Sequence, residues 1–289
     1  MSDWTVQRLT EWSRDYLSEK GFENARLEVE LLLADTLGVS RLELYLDFDR
    51  PLSGDELGRY KKRLKRRLNH EPVQYITGTA AFMLSEFDVT PDVLIPRPET
   101  EALTEVALEL LSGMAVERPD AADVGTGSGV IAVTLAQKCP EARVVATDSS
   151  TAALTVARGN AARAGVGERV EFLEGDLLEP LVRDGLGGRL SLIVSNPPYI
   201  PTAELDGLPE EVADFEPRSA LDGGEDGLDC LRVLAQDGPG LLTEGGAIVL
   251  EVGYGQAGAV AELMRDSVSG VDVRNDYAGR ERIVVGTTR

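Results

Sequence analysis

The segment Asp123-Val124-Gly125-Thr126-Gly127-Ser128-Gly129 is the clearest indication of fold in this 289-residue chain. It follows a predicted strand and opens a predicted helix, which is the position of the ligand-binding turn in a doubly wound α/β sheet. Glycine lets the backbone turn sharply and lets a ligand approach where a Cβ would stand, and the helix N-terminus favours a negative group. The position therefore predicts a nucleotide-type ligand, with a purely structural turn as the alternative.

The spacing of the glycines distinguishes this loop from a dinucleotide-binding turn. The dinucleotide pattern places its third glycine three residues after the second. That position is Val130 here, and the third glycine is Gly129. The carboxylate of a methionine moiety would suit the helix N-terminus, so the loop favours S-adenosylmethionine as the cofactor.

Two acidic residues follow the next two strands and extend the predicted cofactor site. Asp148 ends the strand after the loop, about twenty residues on, where a carboxylate accepts hydrogen bonds from ribose hydroxyls. A helix N-cap is the alternative for Asp148, although Ser149 and Ser150 could take that role. Asp176 lies at the predicted end of the third strand, where it can accept from an adenine amino group while Leu177 covers the ring. An ordinary loop aspartate is the alternative there.

Strands and helices alternate regularly after Glu99. The alternation predicts an α/β fold with a mostly parallel sheet and helices on both faces, and Ala278-Gly279-Arg280 suits an antiparallel hairpin at the end. This is the Rossmann-like layout of class I S-adenosylmethionine-dependent methyltransferases. The predicted strands are residues 121–124, 143–148, 170–176, 190–195, 246–252, 271–277 and 281–286.

The N-terminal part of the chain has a different pattern. Apolar residues recur at helical spacing over residues 6–69 and predict a small helical bundle, in which Ser53 and Glu56 form a capping box. Short extended runs over 82–84 and 87–89, broken by glycine and proline, predict a β-hairpin linker. The predicted domains are therefore a helical domain at residues 1–74, a linker at 75–98 and a methyltransferase domain at 99–289.

The segment Asn196-Pro197-Pro198-Tyr199 is the predicted catalytic motif, because it ends the buried strand Leu192-Ile193-Val194-Ser195 at the same crevice. Two prolines cannot continue a sheet ladder, and they hold the backbone rigid. The Asn196 side chain and the Pro197 carbonyl then offer two oxygen acceptors. An NH2 group that donates one hydrogen to each has its nitrogen lone pair directed at the cofactor methyl, while Tyr199 stacks on the planar target.

This arrangement predicts methylation at nitrogen without a strong general base, because the methylated nitrogen loses its proton to water. The only histidine, His70, lies outside the predicted crevice and is expected at a helix end. Cys139 and Cys230 are far apart and have no nearby histidine, so we expect buried thiols, no disulfide and no metal site.

Composition bounds the possible partners of the chain. The formal net charge is -21 with a pI of about 4.5, which argues against a broad nucleic-acid-binding surface; the acidity can also reflect a salty cytoplasm. No apolar run approaches the roughly 20 residues of a membrane helix. Residues 1–5 do not resemble a secretory signal. We therefore expect a cytoplasmic protein without membrane contact.

Residues 59–67 form a dense basic run, in contrast to the acidic composition of the whole chain. It has an apolar stripe at helical spacing and is expected to form one helix. One interpretation is a solvated face paired with the protein's own carboxylates, and the other is a docking surface for an acidic protein partner. The run consists of Arg59, Lys61, Lys62, Arg63, Lys65, Arg66 and Arg67.

Taken together, these motifs resemble the bacterial protein-(glutamine-N5) methyltransferases that modify peptide chain release factors. The resemblance covers nearly the whole chain. Asn-Pro-Pro-Tyr alone is shared with adenine-N6 DNA and RNA methyltransferases, so the other segments carry the distinction. Those segments are Pro72 to Gly78, Leu94 to Glu101, Phe215 to Leu221 and Ala278 to Arg282.

The resemblance implies that the substrate is the glutamine of the Gly-Gly-Gln loop in class I release factors, and that the helical domain helps to dock the factor. It implies cofactor contacts from Gly125 to Gly129, Asp148 and Asn196, and glutamine contacts from Asn196 to Tyr199. Leu177 departs from the aromatic residue that relatives often place beside the adenine. An adenine-N6 methyltransferase and an inactive cofactor-binding module are the alternatives, and we expect a monomer.

Overall fold

The computed structural model describes residues 4–289, in which twelve α-helices and nine β-strands are formed. The helices are α1 (Val6–Glu19), α2 (Ala25–Leu37), α3 (Arg41–Leu46), α4 (Gly54–Leu68), α5 (Val73–Thr77), α6 (Pro98–Gly113), α7 (Val130–Lys138), α8 (Thr151–Arg163), α9 (Glu179–Arg183), α10 (Glu210–Ala213), α11 (Asp229–Asp237) and α12 (Ala257–Met264). The strands are β1 (Thr79–Phe82), β2 (Ser85–Asp88), β3 (Asp120–Val124), β4 (Arg143–Asp148), β5 (Val170–Glu174), β6 (Leu190–Ser195), β7 (Leu242–Glu251), β8 (Gly270–Asn275) and β9 (Glu281–Thr287).

One seven-stranded sheet has the order β5-β4-β3-β6-β7-β9-β8. Strands β3 to β7 are parallel, whereas β9 runs antiparallel to both β7 and β8. The predicted α/β fold with a terminal antiparallel hairpin is therefore confirmed. The strand order reverses between β3 and β6, and ligands bind at the carboxyl ends of the strands at such a switch point.

Alternate residues of each central strand serve two apolar cores, because successive side chains point to opposite faces of a sheet. Ala121 and Val144 pack with α6, α7 and α8 in one core. Their neighbours Ala122 and Val145 pack with α9, α11 and α12 in the other. The central strands β3, β4 and β6 are mostly buried on both faces, which explains their largely apolar sequences.

Some predicted strand bounds differ from the observed ones. The third parallel strand ends at Glu174 instead of 176, since Gly175 has φ 154° and Leu177 has φ 40°, and neither angle continues a strand. The predicted extended run 82–84 is also wrong. Met83 has φ 52° and lies between β1 and β2, so 83–84 is the hairpin turn. Strand β7 begins at Leu242, four residues earlier than predicted.

The helical unit consists of residues 4–79 together with Pro209–Phe215. Helices α1, α2 and α4 bury one apolar cluster that includes Leu17 and Leu32, both 0% exposed. The predicted capping box of Ser53 and Glu56 at the start of α4 is confirmed. No sequence pattern predicted that a segment beyond residue 200 would join the helical unit.

The structure of residues 4–289 tests two further expectations, whereas a third concerns residues outside that range. Within residues 4–289, no helix is both long and apolar enough to span a membrane. Cys139 and Cys230 are free thiols that are partly exposed, so the expectation of full burial is wrong. The expectation about the N-terminal segment rests largely on residues 1–3, which lie outside the described residues.

Candidate active site

A crevice of about 240 Å³ lies at the carboxyl ends of β3, β4, β5 and β6, where the strand order reverses. Most of the predicted site residues line it. These are Gly125, Thr126, Gly127, Ser128, Asp148, Asp176, Leu177, Asn196 and Pro198. Gly129, Pro197 and Tyr199 do not line the crevice. The fold therefore brings together nine of the twelve residues predicted for catalysis and cofactor binding.

The glycine loop owes its shape to three left-handed residues. Gly125, Gly127 and Gly129 have φ of 74°, 55° and 82°, which a side chain with a Cβ rarely adopts. No atom lies within 4 Å of the position that a Cβ would take at Gly125 or Gly127. At Gly129 a Cβ would stand 3.0 Å from the Cβ of Ala157 on α8. Gly129 therefore permits close packing of the loop against α8, in addition to beginning α7.

Asp148 holds the loop as well as facing the crevice. Its Oδ2 accepts from the backbone N–H of Gly127 at 2.9 Å, and its Oδ1 accepts from the N–H of Ser150 at 2.9 Å. Ser150 caps α8 through its own hydroxyl, which accepts from the Ala153 N–H at 3.2 Å. The N-cap of α8 is therefore Ser150, and each Asp148 oxygen retains a lone pair for a ribose hydroxyl.

Asp123 lies beneath the loop, and no sequence pattern predicted a role for its side chain. Its side chain is 0% exposed, and its Oδ2 accepts from the Thr126 hydroxyl at 2.6 Å and from the Ala132 N–H at 3.0 Å. Within residues 4–289, Oδ1 has no hydrogen-bond partner. Burial raises the pKa of Asp123 to about 7, and the nearby Asp148 adds to the rise. The carboxyl is therefore partly protonated near neutral pH.

The burial of Asp123 predicts a pH-dependent stability. Its pKa is about 7 in the folded chain against an ordinary value of 3.8, so its stabilising contribution is complete below pH 3.8 and is lost as the pH rises through 7. The comparison is with Asp123→Asn, which cannot ionise. The difference in free energy of unfolding, wild type minus variant, should fall by about 4 kcal/mol between pH 4 and 8. Urea denaturation at each pH measures this difference.

The exposed Asp266 provides the matched control for loss of a carboxylate. Asp266→Asn should give a difference from the wild type that changes little over the same pH range. A pH-independent difference for Asp123→Asn would show that the buried carboxyl does not titrate as expected.

The Asn-Pro-Pro-Tyr segment places Asn196 directly after β6, with its side chain at the crevice. The amide Nδ2 donates to Oγ1 of Thr100 at 2.9 Å, and Oδ1 has no hydrogen-bond partner in the described part of the chain. Pro198 lines the crevice beside it, and Pro197 is buried. An acceptor oxygen is thus available at the position where the predicted mechanism needs one.

Tyr199 is held from several sides and contributes to the apolar core next to α11 and α12. Its hydroxyl donates to Oε1 of Glu251 at 3.4 Å, and the Arg282 guanidinium lies 6.0 Å from its ring centre. Gln256 Nε2 donates to the Tyr199 carbonyl at 2.9 Å. Burial raises the pKa of Tyr199. Stacking of this ring on a substrate stays a prediction, and these contacts instead support the rigidity of the motif.

The crevice also contains residues that are not among the predicted site residues. Thr100, Ile131 and Cys230 line it with Asp176 and Leu177. Burial raises the pKa of the Cys230 thiol, which keeps it protonated. Thr100 lies in the segment Leu94 to Glu101, one of the segments that carry the family resemblance, and that resemblance is the sequence signal that could have pointed to Thr100.

The donor and acceptor groups of the crevice fit S-adenosylmethionine. The open glycine loop at the start of α7 would face the methionine moiety, and Asp148 would accept from the ribose hydroxyls. Asp176 and Leu177 would lie at the adenine end, with apolar Ile131 also available. Asn196 and Pro198 would lie beside the reacting methyl group.

Comparison with known proteins agrees with this geometry. Residues 8–78 match the family model of the PrmC N-terminal domain, and residues 101–207 match that of the methyltransferase small domain. A solved structure, the T. thermophilus 16S rRNA N2 G1207 methyltransferase (RsmC) in complex with AdoMet and guanosine, has a TM-score of 0.54 at 18% identity. That similarity covers 73% of this chain and 50% of that chain, and it supports the fold alone.

Curated relatives are similar over almost their whole length. The release factor glutamine methyltransferase of Geobacter sulfurreducens is 46% identical, and the match covers 98% of this chain and 96% of the relative. The protein of the same name from Bacillus subtilis is 40% identical, with 97% and 96% covered. With the class I fold, the open glycine loop and Asn196 at the crevice, these matches show that the chain is an S-adenosylmethionine-dependent methyltransferase of the release factor glutamine methyltransferase family.

Proposed function

We propose that this chain transfers a methyl group from S-adenosylmethionine to the side-chain amide nitrogen of the glutamine in the Gly-Gly-Gln loop of class I peptide chain release factors. One observation carries the proposal: the Asn196 amide faces the crevice with its nitrogen bound to Thr100 and its oxygen without a partner in the described chain. Asn196 can therefore accept a hydrogen bond from a substrate NH2 group. The similarity to release factor glutamine methyltransferases supports an amide as the bearer of that group.

The residues of the site act by positioning. S-adenosylmethionine supplies an electrophilic methyl group when it is bound. Asn196 Oδ1 would accept a hydrogen bond from one N–H of the glutamine amide, and the carbonyl of Pro197, which does not itself line the crevice, is the predicted acceptor for the other. The two bonds would direct the nitrogen lone pair at the methyl and favour pyramidal nitrogen. Orientation of this kind can lower a barrier by several kcal/mol, with a ceiling of about 7–11 kcal/mol. The amide nitrogen loses a proton to water after transfer.

A general base is not required by this mechanism, and the only histidine of the chain lies elsewhere. His70 follows α4 in the helical unit, where its ring stacks on Phe22 with 5.2 Å between ring centres. Its Nε2 is 3.2 Å from a carboxylate oxygen of Glu210, within the same unit. The ring therefore has a structural environment at the helix end, as the sequence indicated.

The direct test is mass spectrometry of purified release factor after incubation with this protein and S-adenosylmethionine. We expect a gain of one methyl group, located on the loop glutamine by peptide fragmentation. Duplex DNA and RNA form the control arm for the adenine-N6 alternative, which the net charge of -21 disfavours. Methylated adenine together with unmodified factor would contradict the proposal.

The helical unit is proposed as the docking surface for the release factor, through part of the basic run on α4. Three cations of the run are already paired: Arg63 with Asp35, Arg66 with Glu71, and Arg67 with Glu28. The remaining four are exposed and make no ion pair within residues 4–289. They are Arg59, Lys61, Lys62 and Lys65, and we call them the free basic face.

Reversing the charge of the free basic face tests docking. Replacement of its four residues by glutamate should lower kcat/KM for the intact factor several-fold at low ionic strength, because attraction to an acidic partner would be lost. The loss should shrink in high salt, and activity on a short glutamine peptide should persist.

A matched control reverses four exposed cations of the other unit, namely Arg118, Lys138, Arg189 and Arg289. This variant has the same net charge but an intact free basic face. Equal kcat/KM values for the two variants at low salt would exclude docking by α4.

We further propose that the enzyme acts as a monomer in the cytoplasm, where translation termination takes place.

A further inference from the structure

Hydrogen bonds connect Asn196 to a buried carboxylate at the end of β7. Asn196 Nδ2 donates to Thr100 Oγ1 at 2.9 Å, and Thr100 Oγ1 donates to Glu251 Oε2 at 2.8 Å. Thr100 and Glu251 are 3% and 0% exposed, so water does not compete for these groups. The sheet register explains the proximity, because Ser195 of β6 pairs with Leu250 of β7 and the next residues are Asn196 and Glu251.

The direction of each hydrogen bond is fixed by the next one. A threonine hydroxyl has one hydrogen, and an ionised carboxylate can only accept. Thr100 therefore donates its hydrogen to Glu251 and can only accept from Asn196. This requires the Asn196 nitrogen to face Thr100, which leaves the Asn196 oxygen toward the crevice. The reversed amide would place two acceptor oxygens against each other.

Protonation of Glu251 would remove this constraint. A protonated carboxyl can donate to Thr100, and Thr100 can then donate to the Asn196 oxygen, so the amide nitrogen would face the substrate. The charged and titratable groups around Glu251 are Glu99 from α6, Tyr199 and Arg282 from β9. Burial raises the pKa of Glu251 to about 7, with Glu99 adding to the rise and Arg282 opposing it.

We propose that Thr100 and Glu251 are positioning residues, and that the ionised carboxylate of Glu251 acts through Thr100 to keep the Asn196 oxygen directed at the substrate NH2 group. The inference rests on the proposed function in that it takes a glutamine amide as the group that Asn196 binds. Neither residue needs to touch the reacting atoms. Their effect is on the fraction of enzyme in which Asn196 is correctly oriented.

Two substitutions of Thr100 separate positioning from packing. Thr100→Val keeps the shape but removes the hydroxyl, and it should lower kcat for release factor about tenfold or more, since orientation at the reacting centre is lost. Thr100→Ser restores the hydroxyl and should restore most of kcat. KM for the factor and the Kd for S-adenosylmethionine, measured by calorimetry, should change little. Equal kcat values for the valine and serine variants would overturn the inference.

The pH profile tests the role of Glu251. In the wild type, kcat should rise as the pH increases through about 7, because Glu251 then ionises. Glu251→Gln cannot ionise, and its amide can either accept from Thr100 or donate to it, so the direction is no longer fixed. This variant should give a lower kcat than the wild type at high pH, without that rise. A Glu251→Gln profile that still rises with the midpoint of the wild type would contradict the proposed direction.

A spectroscopic arm separates this inference from the substrate assignment. In protein with ¹⁵N-labelled asparagine, the Asn196 side-chain NH2 signals, identified by their loss in Asn196→Ala, should shift with pH in the wild type. They should not shift in Glu251→Gln. Absence of the shift in the wild type would overturn the inference, whatever the substrate. A normal shift without methylation of the factor would contradict only the proposed function.

Discussion

Replacing Asn196 by alanine should lower kcat for release factor methylation by at least about a hundredfold, because an acceptor aimed at the reacting NH2 group is lost. The remaining Pro197 carbonyl can accept only one of the two N–H bonds, so the amide can rotate away from the cofactor methyl. Affinity for S-adenosylmethionine should change little, since the loop and Asp148 would still hold the cofactor. Single-turnover kinetics and calorimetric titration measure the two quantities separately.

Asn275→Ala provides the control, because Asn275 is an exposed asparagine on the peripheral strand β8. It should retain wild-type kcat. Asn196→Asp is also informative, because it keeps an acceptor oxygen but cannot donate to Thr100. Near-normal turnover in Asn196→Ala would remove Asn196 from the catalytic role.

Replacing Asp148 by alanine should weaken S-adenosylmethionine binding by roughly tenfold to a hundredfold, from about 1.5–3 kcal/mol for hydrogen bonds to a charged group. The predicted contact with ribose is one source of this loss. The structure adds another, because Asp148 also accepts from the N–H groups of Gly127 and Ser150. Without these bonds the loop is less well ordered before the cofactor arrives.

Calorimetric titration measures the Kd for S-adenosylmethionine in Asp148→Ala. The variant Asp148→Asn provides an intermediate case. Asparagine keeps one acceptor oxygen, so its effect should lie between those of the wild type and alanine. Exposed Asp266→Ala should leave the Kd unchanged. An unchanged Kd in Asp148→Ala would show that this residue does not hold the cofactor.

Local sequence patterns predicted the parts of the fold that depend on neighbouring residues. The bounds of β4 and β6 match the prediction, because each has an apolar centre of three residues and ends at a polar residue. The glycine loop and Asn196 were found for a similar reason, since each belongs to a short motif directly after a strand. Strand β5 was overextended because nothing local indicated the left-handed turn at Leu177.

Groups that are distant in sequence could not be found in this way. Thr100 and Glu251 are 151 residues apart, and their hydrogen bond exists only because α6 packs beside the end of β7. Asp123 belongs to the same short motif as the glycine loop, but its burial depends on neighbouring strands and on α7. For Tyr199, the motif predicted a ring that faces the substrate, whereas its contacts with Glu251 of β7 and Arg282 of β9 depend on strands far along the chain.

The segment Pro209–Phe215 limits how the enzyme can be divided or recombined. Because this segment belongs with residues 4–79, the chain passes between the two units three times, and one cut near residue 79 separates neither unit cleanly. Arg67, which is 4% exposed, binds Glu28 and also Glu211 from that segment, at 2.7 Å each. A chimera that takes the helical unit from a relative must therefore exchange both segments together, since a mismatched pair would leave a buried guanidinium short of a partner.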